Sequence, residues 1–146
     1  MIEELSLFVL LFFSALASYY DLKTTEIPDG IPAFLITFFL LLLFVKYLDS
    51  PILLLKNLGI GIAYSLVGIG MYLTGQWGGG DSLLLASYGF SLPLISKFFP
   101  SSPIPPALTF LMNLFLVGAF SMLLFSFFFS LRNGEIWKFL KKDLEK

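Results

Sequence analysis

Asp21-Leu22-Lys23-Thr24-Thr25-Glu26-Ile27-Pro28-Asp29 closes the first apolar stretch of the chain, and Gly78-Gly79-Gly80-Asp81 opens the fourth. Each motif sets a carboxylate at the edge of a hydrophobic helix, where an unpaired charge is costly and therefore needs a reason. Two carboxylates that meet share a proton and titrate as a pair, so that one activates a water while the other protonates or polarises a carbonyl. The expected settings differ. Asp21 follows the C-terminal end of a helix, where the macrodipole disfavours an anion, whereas Asp81, read as the N-cap of the next, sits where it is favoured. That split suits Asp81 as base and Asp21 as acid. The simpler readings are that Asp81 only caps its helix and that Asp21 is only solvated.

Composition decides what kind of element carries these motifs. Of 146 residues, 58% are hydrophobic, 18% aromatic and 13% charged, with a mean hydropathy of +0.90, which is too apolar for a soluble domain of this size. The chain reads as an integral membrane protein whose surroundings are the lipid bilayer. A net charge of −1 offers no field for a nucleic-acid partner. With no cysteine and no histidine, disulfides, thiol nucleophiles, Ser-His-Asp triads and the common zinc sites are excluded. Carboxylates, Lys, Tyr, Ser and Thr are what is left for catalysis.

Five apolar stretches are each about as long as a membrane-crossing helix: residues 5–20, 31–48, 52–74, 82–99 and 107–131. The first carries Glu3 and Glu4 in front rather than the basic residues of a secretory signal, so it reads as a mature helix. The fold class expected is all-α, a polytopic helical bundle of about five spans. Residues 1–131 form the membrane domain, and 132–146 a short amphipathic helix lying on the membrane surface, since Ile136, Trp137, Phe139 and Leu140 fall near one face among lysines. The segment Pro100 to Pro106 reads as a stiff connection between spans. Lys23, Arg132, Lys138, Lys141, Lys142 and Lys146 fall on one side, and only Lys46, Lys56 and Lys97, expected to snorkel, on the other. The positive-inside rule then places both aspartate loops in the cytoplasm and the N-terminus outside.

The glycine run from Gly75 to Gly80 is nearly free of side chains apart from Gln76 and Trp77, and allows both positive φ and close passage of another backbone. In the third stretch, Gly59, Gly61, Ala63, Ser65, Gly68 and Gly70 offer a neighbouring helix a close approach.

With Asp21-Leu22 followed by Ile27-Pro28-Asp29, with Gly78-Gly79-Gly80-Asp81, and with Leu84-Leu85-Ala86 and Gly89 beyond it, the chain resembles the type IV prepilin peptidases and archaeal preflagellin peptidases, the GxGD membrane aspartyl proteases. The resemblance covers roughly residues 5–92. It implies that Asp21 and Asp81 are the catalytic pair, acting without metal or cofactor at the cytoplasmic face. The substrate implied is a precursor with a short basic leader ahead of a hydrophobic helix. Gly78, Gly79 and Gly80 would line the substrate site, and Glu26 and Asp29, which a solvated turn also explains, would receive the leader's positive charge. The cysteine-bearing insertion of many bacterial members is missing, so peptidase activity without methyl transfer is expected. Leu83 stands where relatives often carry Lys, and six spans are usual in that family. Three other readings stay open on the residues: an ion- or proton-handling subunit using Asp21, Glu26, Asp29 and Asp81, a structural subunit, and a presenilin-like protease.

Overall fold

A computed structural model describes residues 1–99 and 103–132. Five α-helices follow one another: α1 (Ile2–Thr24), α2 (Gly30–Tyr47), α3 (Pro51–Leu73), α4 (Gly79–Ile95) and, after a 3-10 turn at Ser96–Phe98, α5 (Pro106–Arg132). There is no strand among the described residues. α1, α2, α3 and α5 are long and apolar enough to cross a membrane. α4 has 17 residues, about 25 Å of helix, and is the shortest of the five. The expected C-terminal surface helix and the connection through Pro100, Ser101 and Ser102 lie outside the described residues.

Residues 1–107 make one compact unit, with α4 at its centre and α1, α2 and α3 each packed against it. Nearly the whole second half of α4, from Leu85 to Ile95, is buried, whereas its three neighbours bury only a narrow stripe. In α2 that stripe is Ile31, Leu35, Phe39 and Leu43, one residue per turn, and in α1 it is Ser6, Leu10 and Ala17. Their other faces carry exposed Phe8, Leu11, Phe12, Leu41 and Val45, the surface a bilayer would cover. From Leu108 the chain forms a second unit, whose helix carries exposed apolar side chains such as Leu116, Phe120, Leu123 and Phe127.

In lipid, apolar burial gives helices little reason to associate, so close fit and polar contacts decide the packing. α3 and α4 show this most directly. A Cβ on Gly61 would lie 2.1 Å from the Phe90 ring, one on Gly68 2.6 Å from the Ser82 carbonyl oxygen, and one on Gly89 2.5 Å from Tyr64 Cβ. Gly61 and Gly68 are thus the two glycines of the α3 stripe that admit α4. Gly59 and Gly70, grouped with them on sequence, have nothing within 4 Å and face away, because they fall on other sides of a 3.6-residue helix. Between α4 and α1 the Tyr88 hydroxyl donates to Ser14 Oγ at 3.1 Å, and between α1 and α2 the rings of Phe13 and Phe34 lie 4.8 Å apart.

One end of this unit is tied by charge. Glu3 accepts from Lys46 at 3.1 Å and from Lys97 at 2.9 Å, and Glu4 pairs with Lys97 and with the N-terminal amine. Hydrogen bonds that the Lys97 ammonium donates to Glu4 first, then to Glu3, hold it in its charged form to a higher pH than usual. Lys46 and Lys97 therefore pair with the front of α1 rather than reaching alone for the interface as expected. The same end collects the close of α4, where Pro93 removes a backbone donor. The Pro93 carbonyl accepts from the Tyr47 hydroxyl at 3.3 Å and from Ser96 Oγ at 3.2 Å.

Candidate active site

The other end of the four-helix unit gathers the α1–α2 turn and the α3–α4 turn, the segments that carry the two aspartate motifs. α1 runs further than the hydropathy suggests, to Thr24, so Asp21 lies in its last turn and not beyond it. Three polar residues, Asp21, Lys23 and Thr24, extend the helix past the apolar stretch. Its end is closed by Thr25, whose N–H donates to the Asp21 carbonyl oxygen at 2.8 Å with a left-handed φ of 58°. A β-branched residue adopts that conformation at a cost of about 1–2 kcal/mol. The turn is held by its own hydroxyls, Thr24 Oγ1 donating to the Tyr20 carbonyl at 2.8 Å and to that of Glu26 at 3.0 Å. Asp29 occupies the N-cap position of α2, yet its side chain makes no capping hydrogen bond, which leaves the carboxylate for other work.

On the α3–α4 side, Gly75 reverses the chain with a φ of 71°, the one glycine of the run with a positive φ. The chain then folds back on α3 through hydrogen bonds from the Gln76 and Trp77 amides to the Met71 carbonyl, at 3.0 and 3.3 Å. Gly78 is extended and is the N-cap of α4, which begins at Gly79 and not near Ser82. Asp81 is accordingly the third residue of the helix rather than its N-cap. From there its Oδ2 reaches back to accept the Gly78 N–H at 3.2 Å. This is half of a capping box, the other half being impossible because a glycine cap has no side chain to return the bond. Glycines can start a helix one turn early because they need no side-chain room at its crowded end.

Gly80 provides that room where it is used. A Cβ there would lie 2.5 Å from the Ile27 carbonyl oxygen and 2.9 Å from Ile27 Cβ, so the α1–α2 turn rests directly on the first turn of α4. The close backbone passage expected of the glycine run is thus filled by the chain's own Ile27. Around this contact a cavity of about 300 Å³ is lined by Thr25, Glu26, Ile27, Asp29, Tyr72, Gly78, Gly79, Gly80 and Asp81. Six of the seven residues singled out on sequence, Glu26, Asp29, Gly78, Gly79, Gly80 and Asp81, therefore share one cavity. Asp21 is not among its lining residues; it lies one helical turn before Thr25, which is. The carboxyl-bearing residues Asp21, Glu26, Asp29 and Asp81 are all exposed, so water reaches each of them. Tyr72, from the last turn of α3, was not indicated by any motif; the only sequence signal for it was its place just ahead of the glycine run.

Fold and site together define a polytopic helical membrane protein with a water-accessible, carboxylate-lined cavity at one end of its bundle. The chain matches the model of the type IV leader peptidase family over residues 8–127 and belongs to that family. It is a peptidase of the type IV leader class. No curated protein and no solved structure gives a significant match to it.

Proposed function

We propose that this peptidase is an aspartic endopeptidase in which Asp21 and Asp81 form the catalytic pair. One carboxylate takes a proton from water as the water oxygen bonds to the scissile carbonyl carbon, and the other gives a proton to the carbonyl oxygen. Collapse of the resulting diol breaks the C–N bond and delivers a proton to the leaving nitrogen, returning the pair to its starting charge. No metal or cofactor enters these steps.

The observation that carries the reading is the seat of Ile27 on Gly80, which docks the two aspartate motifs at one end of the bundle. Asp81 lines the cavity and Asp21 flanks it, so a substrate strand lying across the α1–α2 turn would meet both carboxylates. The substrate is a type IV pilin-like or archaellin precursor, cut between a short basic leader and the hydrophobic helix that follows. Six of the nine Lys and Arg residues fall on the site's side by the sequence topology, which favours a cytoplasmic site and an N-terminus outside. Such a site is where a leader not yet translocated would be found.

The test is cleavage of a pilin-like precursor in membranes by the native chain and by Asp21→Asn and Asp81→Asn, with insertion and folding verified for each. Loss of cleavage in both folded variants is the expected result. Cleavage surviving in either one refutes the two-carboxylate mechanism.

A further inference from the structure

We propose, on the footing of the peptidase reading above, that Tyr72 determines specificity: its ring is the surface against which a lysine or arginine side chain of the substrate leader lies. Tyr72 is 54% exposed, although it belongs to a helix whose buried stripe holds another tyrosine, Tyr64. Its Cε2 comes within 4.0 Å of where a Cβ on Gly79 would lie, and glycine there leaves the ring uncovered on the cavity side. It shares the cavity with the carboxyl-bearing residues Glu26, Asp29 and Asp81, and among the described residues no Lys or Arg lines it.

The basic residue nearest in sequence to the α1–α2 turn is engaged elsewhere. Lys23, two residues before Thr25, lies over the Tyr19 ring, 5.7 Å from its centroid, on the body of α1. Among the described residues the cavity thus combines an exposed aromatic ring with carboxylates and no Lys or Arg. A long basic side chain fits both parts, laying its methylenes or guanidinium on the ring while the charge meets the carboxylates. An apolar side chain would use the ring but leave the carboxylates unmatched, and an acidic one would be repelled. The aromatic surface therefore favours basic over neutral residues, beyond what the carboxylates do by charge alone.

The experiment compares two precursors that differ by Lys→Gln at the leader's basic positions, taken one at a time, in membranes holding the native protein, Tyr72→Phe, Tyr72→Leu or Tyr72→Trp. The quantity read is the ratio of kcat/KM for the lysine over the glutamine precursor. At one leader position Tyr72→Leu should lower that ratio by about fivefold, chiefly through KM, while Tyr72→Phe keeps it and Tyr72→Trp raises it. A ratio unchanged in both Tyr72→Leu and Tyr72→Trp overturns the proposal. So does Tyr72→Phe behaving like Tyr72→Leu, which would assign the effect to the hydroxyl. If Tyr72→Leu does not fold, the Phe and Trp variants carry the comparison. A native protein that cleaves neither precursor would instead refute the peptidase mechanism itself, an outcome distinct from cleavage without Tyr72-dependent preference.

Discussion

Replacing Gly80 by alanine places a methyl carbon 2.5 Å from the Ile27 carbonyl oxygen and 2.9 Å from Ile27 Cβ. Ordinary contact between such atoms is roughly 3.5 Å, so one of the two elements must move by about 1 Å. The obstacle is backbone on both sides, in a turn braced by Thr24 and on the first turn of a helix buried among three others, so no side chain can swing away to absorb it. Overpacking of this kind costs about 1–3 kcal/mol, which lowers the melting temperature without unfolding the bundle. The larger effect is on chemistry. A displacement of about 1 Å between groups that must act together costs on the order of 100-fold in rate. Gly80→Ala should therefore cut the single-turnover rate of precursor cleavage about 100-fold in a protein that still inserts. The neighbouring glycines supply the control. Alanine at Gly79 meets only Tyr72 Cε2, at 4.0 Å, and at Gly78 only the movable Asp81 Oδ2, at 3.2 Å. Their predicted order of damage is Gly80→Ala far above Gly78→Ala, with Gly79→Ala least. Near-native cleavage by folded Gly80→Ala, or equal loss in all three, would refute the argument that this contact sets the site.

Along the α3–α4 interface, Gly61→Ala, Gly68→Ala and Gly89→Ala should each lower stability by about 1–3 kcal/mol, whereas Gly59→Ala and Gly70→Ala, which meet nothing within 4 Å, should be neutral or gain up to about 1 kcal/mol; unfolding in detergent separates the two sets. Asp29→Asn should leave stability within about 0.5 kcal/mol, because the Asp29 carboxylate caps nothing, while raising KM for basic leaders in a cleavage assay. Thr25→Asn should stabilise the α1–α2 turn by about 1 kcal/mol, asparagine accepting a φ of 58° more readily than threonine, as a thermal melt would register. Lys97→Gln should lower the melting temperature in a salt-sensitive way. Because its partners raise the Lys97 pKa above the ordinary 10.5, that loss is full below 10.5 and fades only as pH climbs through the higher folded value, so melts at neutral and mildly alkaline pH should show the same difference.

The sequence by itself was enough to establish the class, the five apolar helices and the two motifs. Hydropathy and residue type are properties of single segments, and Asp21, Glu26, Asp29 and the run from Gly78 to Asp81 stand out against apolar surroundings wherever they end up in space. Helix ends were less legible. Polar residues carried α1 on to Thr24, and glycines let α4 start at Gly79, so hydropathy misplaced Asp21 beyond its helix and made Asp81 a cap when it is the third residue. The rest needed the tertiary structure. Which glycines of α3 admit α4, which lysines meet Glu3, why Gly80 must be glycine and that Tyr72 lines the cavity all depend on residues from 6 to 94 positions away. A glycine's requirement is written in the neighbour it touches. Ile27 and Gly80 lie 53 residues apart, and only the packing of four helices brings that carbonyl to that missing side chain.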